Sequence, residues 1–274
     1  RSMPLHSFRN RRRIALVATF MALLVMFAIV WIQEGRLADV SLLTGGTLLT
    51  CILLLGLFGM RRRLPILPLG SVSTWTQIHI YMGFFTTGVY WMHVPSLIGN
   101  GIFEGTLSIV FLLVTASGFY GLYASRTLPK RLTTVEGHHR FDRVEWDRGQ
   151  IADHAKHLLE ELSVHVGIPV LGSFYTEHLN PFFNSGPSLS YVLIPTGGRR
   201  RRLLSGLKDL ERHLESEDRG TAGQFAALVR HRDDLDYQFA LQLRLRSWVA
   251  FHSILTLALV VGGIVHGCMA IRFS

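Results

Sequence analysis

The chain has 274 residues, 49% of them hydrophobic and only 17% charged, with a formal net charge of +9. Too much of it is apolar for a disordered polyelectrolyte, and the apolar residues gather in long blocks, as in a membrane protein with a modest soluble part.

Five apolar blocks follow one another, roughly at 14–32, 40–60, 75–97, 104–124 and 247–271. A helix needs about 20 residues to cross about 30 Å of hydrocarbon, so each block is read as a transmembrane helix. The first follows basic residues, as a secretory leader does. It is too long for one, and no small-residue cleavage site follows Trp31-Ile32-Gln33-Glu34, so it is read as an uncleaved span. Arg9, Arg11, Arg12 and Arg13 precede the first block, Arg61, Arg62 and Arg63 follow the second, and Arg126, Lys130 and Arg131 follow the fourth. The opposite loops carry Arg36 and, over 97–103, no basic residue. The positive-inside rule then places the N-terminus in the cytoplasm, in an integral membrane protein of bacterial inner-membrane type. The positive charge is read as topology signal and lipid headgroup contact, with no role in nucleic-acid binding.

The polar stretch 126–245 is expected to be a cytoplasmic insert. Helical periodicity marks 147–164, 203–216 and 221–245, short strands are expected at 167–172 and 190–195, and Thr196-Gly197-Gly198 signals a turn. The expected fold is an all-α bundle of five transmembrane helices over 1–125 and 246–274, with a small α+β insert between helices four and five.

Four histidines fall inside these blocks: His79 and His93 in the third, His252 and His266 in the fifth. Fourteen residues of helix return to within about 40° of the starting direction after a climb of about 21 Å, so each helix presents two imidazoles on one face. The alternating topology makes helices three and five parallel, pairing His79 with His252 near the inner side and His93 with His266 near the outer side. Imidazoles at matched depths in lipid suit the axial ligation of two stacked haems, and interhelical hydrogen bonding is the competing structural role. No C-x-x-C-H stretch is present for covalent attachment, and two cysteines are too few for a four-cysteine iron–sulfur cluster. Cys51 and Cys268 are read as small apolar residues.

Gly83 and Gly88 lie between the ligands of helix three, and Gly262 and Gly263 between those of helix five, where a flat macrocycle needs a surface without side-chain bulk. Trp75, Tyr81, Tyr90, Trp91 and Trp248 read first as an interfacial aromatic belt and second as haem-edge contacts, and Arg244 and Arg246 as headgroup anchors or propionate partners. In the insert, His154 and His157 beside Asp153, with His138, His139 and Glu145 upstream, lack a convergent third and fourth metal ligand. Arg199-Arg200-Arg201-Arg202 reads as a basic turn facing the inner leaflet, with phosphate binding the alternative.

Walker A, dinucleotide-binding and hydrolase-elbow motifs are absent. With His79-x13-His93 in helix three and His252-x13-His266 in helix five, the chain resembles the di-haem b-type transmembrane cytochromes, particularly the ferric-reductase-like family. That resemblance covers the five blocks and implies two non-covalent haems b between helices three and five. The large insert and the lack of a sixth helix and of a flavin and nicotinamide domain depart from that family's pattern. The expected function is electron relay across the membrane between a redox partner or quinol and an external carrier, with a dehydrogenase or a c-type cytochrome as partner. Two alternatives stand beside it: a quinol or quinone oxidoreductase, with Ser253, Thr256, Thr86 and Glu104 as candidate proton-exchange groups, and a cofactor-free membrane scaffold.

Overall fold

The computed structural model describes residues 5–36, 40–60, 72–132, 143–164, 169–214 and 216–273. Among them there are helices and no strand: α1 (Leu5–Gly35), α2 (Ser41–Met60), α3 (Val72–His93), α4 (Ile102–Leu132), α5 (Val144–Val164), α6 (Pro169–Phe174), a π-helical turn (Tyr175–Leu179), α7 (Asn180–Asn184), α8 (Leu189–Leu193), α9 (Gly198–Glu211) and α10 (Ser216–Phe273). The chain divides into two compact units, one of Arg1–Ala124 with Trp248–Ser274 and one of Ser125–Ser247.

Among the described residues three helices are long and apolar enough to cross a membrane, over Asn10–Gly35, Ile102–Leu128 and Arg219–Arg272, and Ser41–Leu57 is a shorter apolar helix. This corrects the expectation of five spans. With 22 residues α3 has the length, but Ser73, Thr74, Thr76, Gln77, His79, Thr86, Thr87 and His93 dilute its apolar character. The helix stops before Pro95, whose ring disfavours helical backbone at Val94, and the turn beyond holds Leu97 at a positive φ of 67°.

In the first unit α3 packs chiefly on α2 and α1. Its Val89 is wholly buried, and Tyr90 stacks on Phe111 of α4 with centroids 4.1 Å apart while its hydroxyl donates to the Leu97 carbonyl at 2.6 Å. That bond folds the 94–101 turn back over the end of α3. The Gly99 amide donates to Ser108 Oγ at 3.1 Å and ties the same turn to α4. The outward faces of α1 and α10 carry exposed Phe20, Trp31, Ile254, Leu257 and Ile271, as lipid-facing surfaces do. Polar side chains here return to their own helix: Thr19, Thr86, Thr87 and Thr256 each donate to the carbonyl four residues back. Cys51 and Cys268 are free thiols.

The described residues of the second unit form helices joined by short turns and no strand, which corrects the expected α+β insert. Of the first expected strand, 167–168 lie outside the described residues, and Pro169 begins α6, where a fixed φ and a missing N–H suit the first helical position. The second is α8, started by Ser188, whose hydroxyl accepts the Tyr191 amide at 3.3 Å. Short apolar runs of this length read equally as strand or buried helix until such a cap is recognised. After α6 the helix widens to π geometry, the Asn180 amide reaching Tyr175 O, because Pro181 has no N–H for the next rung. Arg61, Arg62, Arg63, His138 and His139 lie outside the described residues, as do the side chains of Arg9, Lys130 and Arg131.

Val144, Ile151, Ala155 and Leu158 form one face of α5 and meet Leu171, Leu179, Phe182, Leu203, Leu207, Phe225 and Val229 in a single core. At its edge lies an ionic cluster around Arg232, which is 1% exposed. Asp236 pairs with both Arg232 and Arg148, the Ser185 carbonyl accepts from Arg232 at 2.7 Å, and Tyr191 donates to Asp233 Oδ1 at 2.9 Å. Burial, and after it the Asp233 charge, pushes the Tyr191 phenol up. Two consequences are measurable. Asp236→Ala leaves the buried Arg232 and the half-buried Arg148 without their shared carboxylate and is expected to cost about 3–5 kcal/mol, read from denaturant unfolding of the full chain. Burial also raises the Asp233 carboxyl, so its share of stability is present below about pH 4 and is lost as pH rises through the raised value. In Asp233→Asn this part of the pH dependence is expected to disappear, which thermal unfolding from pH 4 to 7 detects.

Candidate functional site: two facing histidine pairs

The four histidines of α3 and α10 face one another in twos. The rings of His79 and His252 have centroids 6.3 Å apart and planes at 69°, and those of His93 and His266 are 6.4 Å apart at 75°. Pairing 79 with 252 and 93 with 266 means that α3 and residues 248–273 of α10 run parallel. Fourteen helical residues separate the two levels, about 21 Å along the axis.

The helices carrying these rings are not each other's main packing partners. α2 touches α3 closely and meets α10 where a Cβ on Gly263 or Gly267 would lie 3.3 or 3.1 Å from Leu49. α4 touches α3 through Phe119 on Phe84 at 5.8 Å, and meets α10 at Gly262, where a Cβ would lie 2.9 Å from Leu107. α2 and α4 therefore flank the space that the imidazoles bridge. Gly88 packs the other way, against Leu23 of α1, where a Cβ would come within 2.4 Å. Of the four glycines expected to face a macrocycle, Gly88, Gly262 and Gly263 thus serve helix contact, and Gly83 alone has open space where its side chain would be.

Two hydroxyls not anticipated as site residues hold ring nitrogens. Thr44 Oγ1 of α2 lies 3.0 Å from His93 Nδ1, and Ser117 Oγ of α4 lies 2.7 Å from His252 Nδ1; Thr44 is 1% and Ser117 8% exposed. Each hydroxyl also donates to a carbonyl of its own helix, Thr44 to Val40 at 2.9 Å and Ser117 to Val114 at 2.8 Å. A glycine follows each: a Cβ on Gly45 would lie 2.9 Å from His93 Cε1, and one on Gly118 would lie 3.9 Å from His252 Cε1. The Ser117 carbonyl accepts from Trp248 Nε1 at 2.8 Å, and the indole stacks along His252 at 5.8 Å over Gly121, where any Cβ would strike it. A Thr-Gly and a Ser-Gly step on neighbouring helices was the signal available in sequence. Recognising it required knowing which helices flank the histidines.

The other aromatic residues divide. Trp91 is exposed, Tyr81 donates to the Arg12 carbonyl at 3.3 Å, and Tyr90 belongs to the α3–α4 contact. Phe103 lies 6.3 Å from His266. In the second unit His157 is exposed beside Glu160, and His154 lines a cavity of about 390 Å³ with Asp147 and His231. Arg199 donates to Ser185 and Arg200 to Asp233 and Asp234, so half of the arginine run is engaged inside its own unit.

Among the described residues no three His, Cys, Asp or Glu side chains converge on a point where a metal ion would sit. Bare zinc-like ions take about four protein ligands, so paired imidazoles do not suit one. They suit a metal that arrives with four in-plane nitrogens and takes only two axial ligands. Two imidazole–metal bonds of about 2 Å on opposite sides of one iron, with the ring radii added, separate the centroids by about 6 Å, the spacing of both pairs. On spacing, flanking helices and donor set, the residues fit a haem at each level.

The chain matches no protein-family model, no curated protein and no solved structure.

Gly45 and Gly46 form a matched pair for testing this geometry, since a Cβ at Gly46 meets nothing within 4 Å. Gly45→Ala is expected to displace the His93 ring and lower thermal stability, and Gly46→Ala to leave both unchanged, as read from histidine-ring NMR signals and thermal unfolding of the full chain.

Proposed function

We propose that each histidine pair holds one haem b and that the chain relays electrons through its membrane-embedded bundle, between a redox partner or quinol and a second electron carrier. One observation carries this reading: two parallel helices present imidazoles at two levels, each pair with ring centroids 6.3 or 6.4 Å apart, a separation that leaves room for one metal between them. Bound haem supplies one-electron transfer at an iron whose potential follows its axial ligands, burial and hydrogen bonds.

The remaining roles fall to the chain's own residues. His79 with His252 and His93 with His266 would each hold one haem, α2 and α4 wall the space on both sides, and α1 covers the far face of α3. Trp248 fixes the plane of His252, and the Tyr90–Leu97 bond holds the 94–101 turn over the His93 level. Thr86 and Thr256 give their protons to backbone carbonyls, which leaves Ser253 and Glu104 as the proton-exchange candidates of the quinol reading.

One contact supports an orientation. Tyr81 meets the Arg12 carbonyl, so the His79 level lies near the basic end of α1, which on the positive-inside rule we take as the cytoplasmic side. The 79/252 site is then the inner one, and the 93/266 site lies beside the outer turn, where an external carrier docks.

The test is a reduced-minus-oxidised spectrum with quantitative haem extraction. Two haems b per chain are expected; His79→Ala or His252→Ala removes one and His93→Ala or His266→Ala the other. A purified chain without a Soret band, or with a single haem, overturns the reading. Because the paired rings stand at 69° and 75°, both ferric haems are expected to give strongly anisotropic low-spin EPR signals.

A further inference from the structure

We propose that Thr44 and Ser117 are positioning residues that fix the proton of one axial histidine in each pair on Nδ1, present Nε2 to the iron and lower both reduction potentials. The inference rests on the two-haem reading above and concerns how this chain tunes the sites.

The argument is a count of protons. A hydroxyl has one hydrogen and two lone pairs. Thr44 spends its hydrogen on the Val40 carbonyl and Ser117 spends its own on the Val114 carbonyl. The oxygen left to face each imidazole is therefore an acceptor, at 3.0 Å from His93 Nδ1 and 2.7 Å from His252 Nδ1. A neutral imidazole carries a single N–H, so the proton sits on Nδ1 and the lone pair on Nε2. Both hydroxyls are buried, so water does not compete for these bonds.

The device occurs twice with different spacing. Val40-Ser41-Leu42-Leu43-Thr44-Gly45 at the start of α2 and Val114-Thr115-Ala116-Ser117-Gly118 on α4 each have a valine carbonyl that takes the hydroxyl proton and a glycine directly after the hydroxyl. The glycine lets the ring approach, tightly at Gly45, and the hydroxyl orients it. The two supports are placed diagonally: one serves the α3 ligand of the 93/266 site, the other the α10 ligand of the 79/252 site. Each site thus has one ligand whose basicity is raised by donation from Nδ1. A more basic ligand stabilises ferric over ferrous iron and lowers the potential.

The experiment uses the full chain in detergent, with Thr44→Val, Thr44→Ser and Ser117→Ala, haem content by extraction and midpoints by potentiometric titration. Thr44→Val is expected to raise only the midpoint of the 93/266 haem, and Ser117→Ala only that of the 79/252 haem. The shift corresponds to up to about a tenfold change in the ferric-to-ferrous equilibrium, or about 59 mV for one electron. Thr44→Ser keeps the hydroxyl and is expected to stay at the original midpoint. Should Thr44→Val lose its haem outright, retention in Thr44→Ser supports the hydroxyl as the operative group, and loss in both overturns it. Two haems in the unaltered chain, with midpoints unmoved in Thr44→Val and Ser117→Ala, overturn the inference and leave the relay reading standing. No haem in the unaltered chain removes both.

Discussion

Four imidazoles must meet across a space that their own helices leave open, and most of the first unit is arranged around that requirement. Were α3 and α10 to pack ridge into groove, their axes would come within about 8–10 Å and no room would remain between facing histidines. α2 and α4 instead stand between them as spacers. The small residues sit where those spacers are gripped, at Gly262 against Leu107 and at Gly263 and Gly267 against Leu49. Glycine here lets flanking helices come close so that the central pair can stay apart.

The same requirement explains why α3 is the least apolar helix of the bundle. A helix bearing His79, His93, Gln77 and a series of hydroxyls is expensive to expose to hydrocarbon, where polar groups have no water to bond. α1 and α2 cover it, Tyr90 and Phe111 join it to α4, and its threonines bond to their own backbone. Exposed bulk is carried by α1 and α10, whose outer faces are Phe, Ile, Leu and Trp. The second unit follows a different logic. Its core is an ordinary contact of apolar helix faces, edged by buried arginines that are held because Asp236 and the Ser185 carbonyl answer their charge.

The histidine spacing was legible in the chain because helix geometry is local. Fourteen residues return to the same face wherever a helix forms, so His79 with His93 and His252 with His266 were visible as candidates without any tertiary information. The errors have equally local causes. The apolar run 190–195 reads as a strand until Ser188 is recognised as a helix cap, and 167–172 misleads until Pro169 is seen as a helix start. Counting α3 as a span relied on length, while its polar residues were already signalling an interior position. The glycines were expected to face a macrocycle, but three of them face neighbouring helices, because sequence does not say which neighbour uses the space a glycine leaves.

By itself, the sequence determined that this chain has helices apolar enough for a membrane, a polar portion between the fourth and fifth apolar blocks, and two histidines on one face of each of two helices. Those properties depend on composition and on a fixed rise and turn per residue. Only the tertiary structure decided that α2 and α4 flank the paired rings, that Gly88, Gly262 and Gly263 serve helix contacts, and that Thr44 and Ser117 reach His93 and His252. The contacts of these glycines and hydroxyls join residues 49 to 214 positions apart, and all depend on which helix faces which, which no local rule dictates.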